Sequence, residues 1–281
     1  MVTGARPVAL WDPETAQRVQ TIEQTAVLRV VGFSPDGARL AGGAEDGTVE
    51  VWSVSDGRIE RTLAGHVGMV RSLAFTPDGG RLLSADREMA ALWDLGSGER
   101  VEAPNLTGTA PAAISPDGDL VAASHEGAGG QATVGVWELA TGLPVQTVQT
   151  GTLPVLMIFS PDGALLATAH TEAGGRHVRI WRIEDGAMTT DLAVRVGDER
   201  LLDKLNWALA YSPDGALLAT GDTEDNVKLW DAATGKELAR KSFGSVPRCV
   251  AFSPDSRSLA VGLTEGAVVT LGVGAGGSTG R

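Results

Sequence analysis

A short cassette, an aromatic residue or Ile followed by Ser/Thr-Pro-Asp-Gly, recurs along the whole chain at Phe33, Phe75, Ile114, Phe159 and Tyr211, with a variant at Phe252. Behind each copy lie a short apolar run, a polar turn and an alternating stretch that ends in Trp: Trp52, Trp93, Trp137, Trp181 and Trp230, with Leu271 in that place in the last copy. Trp11 stands at the same phase ahead of the first cassette, and these six phased Trp residues are 41, 41, 44, 44 and 49 residues apart. A period of about 40–45 residues is what one four-stranded propeller blade requires. The chain is therefore expected to be all-β, a β-propeller of four-stranded antiparallel blades.

The copy between Val67 and Glu102 shows how one repeat works. Residues 70–75 alternate and are rich in β-formers, predicting an inner strand a. In Thr76-Pro77-Asp78-Gly79 the Pro presets φ, the Asp bonds back to the backbone and the Gly accepts positive φ, which predicts a tight turn. Residues 81–84 then read as strand b, 89–93 as strand c and 99–102 as an outer strand d. Four short strands cannot bury both faces alone, so each sheet must stack on a neighbour. An indole buries about 150–250 Å², which at about 25 cal/mol/Å² is several kcal/mol of transfer energy at most. Trp11, Trp52, Trp93, Trp137, Trp181 and Trp230 are accordingly read as structural core.

These cassettes resemble the WD40 family, in the Ser-Pro-Asp-Gly-rich form common in bacterial arrays. Trp-Asp itself occurs at Trp11-Asp12, Trp93-Asp94 and Trp230-Asp231, and the Gly-His element of the family occurs once, at Gly65-His66. The resemblance implies a buried Asp-His-Ser-Trp hydrogen-bond network in that one repeat, made by His66, Ser84, Asp86 and Trp93, with Asp86 one residue out of the usual phase. The remaining repeats lack that His and are expected to rest on apolar packing. The resemblance also implies a scaffold or sensor module, of a kind often joined to a signalling domain in a longer multidomain protein.

The chain starts in mid-blade. Residues 1–4 look like the end of a strand b, 7–11 like a strand c and 17–22 like a strand d, whereas the last copy stops after a strand c at 267–271. A single propeller domain over residues 1–271 is expected, followed by a Gly-rich flexible tail at 272–281. The expected closure is a seven-fold ring with an incomplete N-terminal blade, as in a fragment of a longer protein; the alternative is a six-bladed closed ring.

Charge narrows the partners. The a–b and c–d turns share one edge of an antiparallel blade. That edge carries Asp36, Asp78, Asp117, Asp162, Asp214 and Asp255, then Asp12, Glu14, Asp56, Asp94, Glu138, Glu184, Asp185 and Asp231, in a chain of net charge −12. Such a face repels nucleic acid and anionic membrane, so neither is expected as a partner. There is no apolar run long enough to span a bilayer and no signal-peptide plan, and the lone Cys249 reads as a small buried residue. A cytoplasmic location is expected.

No catalytic motif emerges: there is no Gly-x-Ser-x-Gly elbow, no phosphate loop with Lys and no Cys pair for zinc. No catalytic residue, cofactor or metal is assigned. His125, His170 and His177 fall in the predicted b–c loops and are read as solvated, because the Gly-rich loops around them would hold a metal poorly. Residues 125–132 and 170–176 look like enlarged b–c loops, and residues 191–205 like a long d–a excursion. Four residues before the cassette aromatic stand Arg29, Arg71, Ala110, Val155, Trp207 and Arg248, which open on the same loop-rich edge. Arg and Trp dominate binding hot spots. Trp207, Arg29, Arg71 and Arg248, with Arg200 and Lys204 from the excursion, are the candidate face for a protein or peptide partner. The alternative is a small-ligand-binding or enzymatic propeller that uses the channel mouth.

Overall fold

The computed structural model describes residues 2–3, 7–12, 15, 17–101, 108–127, 130–172, 175–194 and 208–274. It divides into two compact units, residues 1–149 and 150–281. In the first unit, β1 (Val2–Thr3), β2 (Val8–Trp11) and β3 (Arg18–Ile22) form a three-stranded sheet. Two four-stranded sheets follow: β4 (Leu28–Phe33), β5 (Arg39–Ala44), β6 (Val49–Ser53) and β7 (Ile59–Leu63), then β8 (Ser72–Phe75), β9 (Arg81–Ala85), β10 (Ala90–Asp94) and β11 (Arg100–Val101). A third is built from β12 (Thr109–Ile114), β13 (Leu120–Glu126), β14 (Ala132–Glu138) and β15 (Pro144–Gly151), whose end reaches the second unit.

The second unit holds β16 (Leu156–Phe159), β17 (Leu165–Glu172), β18 (Gly175–Arg182) and β19 (Met188–Val194) as one sheet. The next sheet is β20 (Leu209–Tyr211), β21 (Leu217–Gly221), β22 (Asn226–Asp231) and β23 (Glu237–Ser242), and the last is β24 (Pro247–Phe252), β25 (Ser258–Leu263) and β26 (Val268–Gly272). Among the described residues every strand pairing is antiparallel and joins strands adjacent in sequence, as a propeller blade requires. Six sheets open on a cassette strand. The seven-fold count expected from the sequence is therefore corrected to six cassette blades, with β1–β3 as a three-stranded sheet of their own.

The cassette turn is a local clamp. Ser34 Oγ donates to Asp36 Oδ1 at 2.5 Å and accepts from Arg39 N at 2.9 Å, while Asp36 Oδ1 also takes Ala38 N and Gly37 N closes onto Ser34 O. The same bonds recur at Thr76, Ser160 and Ser212. The Ser hydroxyl is the strongest influence on Asp36, and with the Ala38 amide it holds the carboxyl below its ordinary range. These carboxylates stay exposed on the turns.

Strand c supplies the core. Trp52, Trp93, Trp137, Trp181 and Trp230 are all buried, and in the first unit Trp52 packs on Val8, Leu10 and Ile22 while Trp93 packs on Ala41, Val49 and Leu63. In the second unit Trp230 packs on Ala167, Val178 and Leu192. Trp11 differs from this expectation and is only half-buried. Cys249 differs as well: it is exposed, although its Sγ crowds Gly262 and that partial desolvation raises its pKa.

Candidate functional site

Two buried polar networks show where the chemistry-bearing side chains go. In the sheet β8–β11, Trp93 Nε1 donates to Ser84 Oγ at 2.7 Å, and Ser84 Oγ stands 2.6 Å from His66 Nε2. The serine accepts from the indole, so its own proton is free to go to Nε2, and the imidazole proton then sits on Nδ1. Asp86 Oδ2 faces that nitrogen at 3.4 Å. Asp86 also accepts the amides of Val67 and Gly68 on Oδ2 and those of Glu88 and Met89 on Oδ1. Burial pushes this carboxyl upward, but the amides outweigh it and hold its pKa below the usual range. Burial lowers the pKa of His66 despite the pull of Asp86, so the ring is neutral. Gly65 permits the approach: its φ is +154°, and a Cβ there would lie 3.2 Å from Trp93 Cη2.

The second network lies in the sheet β16–β19. Trp181 Nε1 donates to Thr168 Oγ1 at 2.7 Å, and Thr168 Oγ1 is 2.8 Å from His170 Nε2. His170 Nδ1 then meets Thr152 Oγ1 at 3.1 Å, and Thr152 donates to Glu172 Oε1 at 3.0 Å. Glu172 pairs with Arg179 at 2.8 Å, Arg179 reaches Asp191 at 3.4 Å, and Asp191 accepts from His177 at 2.9 Å. His170 is fully buried, and burial, with Arg179 adding, pushes its pKa down to about 4. This corrects the reading of His170 as a solvated loop residue. The enlarged b–c loop is extended strand instead, paired through His170↔His177 to Glu172↔Gly175. At the other enlarged loop the strands likewise extend through His125↔Thr133 and Glu126↔Ala132, and His125 is exposed.

Sequence reasoning missed the second network, and a signal for it existed. His170 follows Thr168 by two residues just as Asp86 follows Ser84, and Asp222 follows Thr220, whose Oγ1 takes Trp230 Nε1 at 2.8 Å. Where strand b has no hydroxyl the pattern stops. Trp52 faces Gly42, its Nε1 has no hydrogen-bond partner among the described residues, and a Cβ at Gly42 would lie 2.8 Å from the ring.

At the starts of the strands a, Arg29 and Arg71 are exposed, and Arg29 forms an ion pair with Glu45. In the second unit Arg248 is half-buried and donates through Nε to Thr264 Oγ1 at 3.0 Å. Arg29 and Arg248 each occupy a register shift, between Leu28 and Val30 and between Pro247 and Cys249. A bulge of this kind re-aims its side chain away from the ladder.

The family described as "WD domain, G-beta repeat" matches residues 16–53, 57–94 and 207–231. Those three segments are similar to WD40 repeats. It is 26% identical over 262 residues to Protein tipD of Dictyostelium discoideum, covering 89% of this chain and 41% of that protein. It is 28% identical over 158 residues to Autophagy-related protein 16 of Arabidopsis thaliana, covering 54% and 30%. To Nuclear distribution protein PAC1 of Arthroderma otae it is 25% identical over 283 residues, covering 89% and 60%. The chain thus spans less than two thirds of the length of each of these relatives.

Trp207, Arg200 and Lys204 lie outside the described residues, as does most of the excursion at 191–205. Among the described residues no group of three or more His, Cys, Asp or Glu is placed to hold a metal. No helix among them is long and apolar enough to cross a membrane.

Proposed function

We propose that this WD40 chain is a non-enzymatic scaffold that captures a protein or peptide partner on the blade edge carrying the b–c and d–a loops. One contrast supports the reading. His66 and His170, with their hydroxyl partners, are bonded inside the blades, whereas Arg29 and Arg71 stand exposed at the mouths of inner strands. Side chains committed to neutral internal hydrogen bonds are poorly placed for acid–base work. Exposed guanidiniums on a rigid sheet suit recognition, because the scaffold fixes them at little entropic cost. Nucleic acid and membrane are excluded from the proposal by the net charge of −12. A cytoplasmic setting, descent from the bacterial Ser-Pro-Asp-Gly-rich form and membership of a longer multidomain protein belong to the same proposal.

The test pairs two measurements on Arg29→Ala, Arg71→Ala and Arg248→Ala: thermal unfolding and capture of a partner from the native host. Lost capture with unchanged unfolding is the expected result. Capture per folded molecule that equals the parent's in all three variants overturns the assignment of the face.

A further inference from the structure

Val30 and Val70 meet over Gly43. A Cβ there would lie 2.5 Å from Val70 Cγ1 and 2.9 Å from Val30 Cγ1, so glycine is what lets the two valines close. Val70 N donates to Ala44 O at 3.0 Å, and Ala44 is the register partner of Leu28. These contacts set Arg29 and Arg71, each next to one of the valines, at neighbouring places on the loop-bearing edge. Arg71 N donates to Ala85 O at 2.8 Å, which puts Arg71 across from the turn that carries Arg87.

All three arginines are exposed, and among the described residues only Arg29 pairs with a carboxylate, Glu45. Among the described residues no ion pair joins Arg71 or Arg87 to an acid. Asp86 lies in the same turn but is turned inward onto four amides, and the exposed Glu88 makes no ion pair with either arginine. Partial burial, then the charges of Arg87 and Arg29, push the Arg71 guanidinium below its ordinary pKa. Like charges gathered without a counterion are unfavourable. Two apolar side chains stand in the chain segments leading into the same strands: Val67 is 85% exposed and Val27 is 41% exposed.

We propose that Arg29, Arg71 and Arg87, with Val67 and Val27 beside them, bind an acidic peptide segment of a partner protein. The proposal rests on the scaffold reading above and gives its partner a chemistry. Guanidiniums take carboxylates through paired, charge-assisted hydrogen bonds, and exposed valines add apolar contact at the rim of such a site. A long polyanion fits less well, because Glu45 and Glu88 flank the cluster and the chain as a whole is strongly negative.

The probe is a labelled peptide, Gly-Glu-Leu-Glu-Leu-Glu-Gly, titrated against the full chain at low ionic strength and followed by fluorescence anisotropy. Saturable binding is expected, absent for the glutamine version of the peptide and weakening with added salt. Arg71→Gln and Arg87→Gln should each weaken it about tenfold, while Glu45→Gln, which releases Arg29, should tighten it. Thermal unfolding of the two arginine variants should be no lower than the parent's. Three results overturn the proposal: no saturable binding, equal affinity in the Arg71→Gln/Arg87→Gln double variant, or tighter binding of single-stranded DNA of matching charge. The wider scaffold reading fails separately, when that double variant and the alanine variants above all retain the native partner.

Discussion

The His66 and His170 blades run a chain of polar contacts in the same direction, from a buried indole through a hydroxyl and a neutral imidazole toward a carboxylate, yet they end it differently. At His66 the ring meets Asp86 directly, and that carboxylate is sealed in by four backbone amides. At His170 the imidazole itself occupies the strand-b place that Asp86 holds, and Thr152 relays it to Glu172 and then Arg179. From there the chain reaches Asp191 and His177, which are partly exposed. The closed network ties a loop to a turn and excludes water. The open one trades that seal for a path to the surface, so its electrostatics are shared with solvent. The carboxylate that ends a network, rather than its histidine, decides how much stability is at stake.

The sharpest test removes those carboxylates. Asp86→Ala strands four amides and should cost about 4 kcal/mol at roughly 1 kcal/mol each, whereas Glu172→Ala leaves groups that water can reach and should cost about 1 kcal/mol. Equal losses in urea unfolding would break the contrast. Acid gives the next largest effect. His170 has a folded pKa of about 4, below the unfolded value near 6.5. As pH falls through that window the unfolded chain takes up a proton that the folded chain refuses, so stability drops, by about 3 kcal/mol over the full interval. His66 is shifted in the same direction and adds to the loss. Asp86, whose pKa is lowered, contributes fully above about pH 4 and loses its share only below. Urea midpoints measured from about pH 7 to about pH 4 should therefore fall less steeply in His170→Gln, and a slope unchanged by that substitution counts against the buried neutral ring.

His66→Ala should cost about 2 kcal/mol, since Ser84 loses its acceptor and Asp86 its imidazole. It should leave binding of the acidic peptide unaltered, because the ring makes none of that surface. No change in unfolding would show that His66 adds nothing to the closed network. Thr152→Val is the mildest change, about 1 kcal/mol, and should flatten when combined with Glu172→Ala, since the two belong to one relay. Strict additivity in that double-mutant cycle would separate them.

The turns and the indoles were legible in the sequence because their physics is local. Ser34, Asp36 and Arg39 satisfy one another within six residues, and Trp52, Trp93, Trp137, Trp181 and Trp230 sit at one phase of the repeat. His66, Ser84 and Trp93 were legible through the family resemblance. His170 was not, because burial there depends on β17 and β18 continuing as paired strands through Glu172 and Gly175, where the polar and Gly-rich sequence reads as loop. Cys249 was misplaced for a related reason: strand membership gave its element but not which face the neighbouring chain covers. Counting back from the cassette aromatic reaches Arg29 and Arg71 but not Arg87, since the nearness of Arg87 to Arg71 arises from the Arg71–Ala85 backbone bond and not from repeat phase.

The clamp in each cassette turn also bears on how the chain finds its structure. Ser34 closes on Asp36 and Arg39 with bonds no more than five residues apart, and Thr76, Ser160 and Ser212 do the same. Contacts of such short range carry little loop-closure entropy, and hairpins of this kind form in about 1–10 microseconds. Every clamped a–b hairpin is thus a nucleus in its own right, available before strand d or any adjoining sheet has been recruited. Repeat proteins built this way nucleate anywhere and propagate to their neighbours, so a substitution in one hairpin should slow folding less than it speeds unfolding, the remaining hairpins still offering a start.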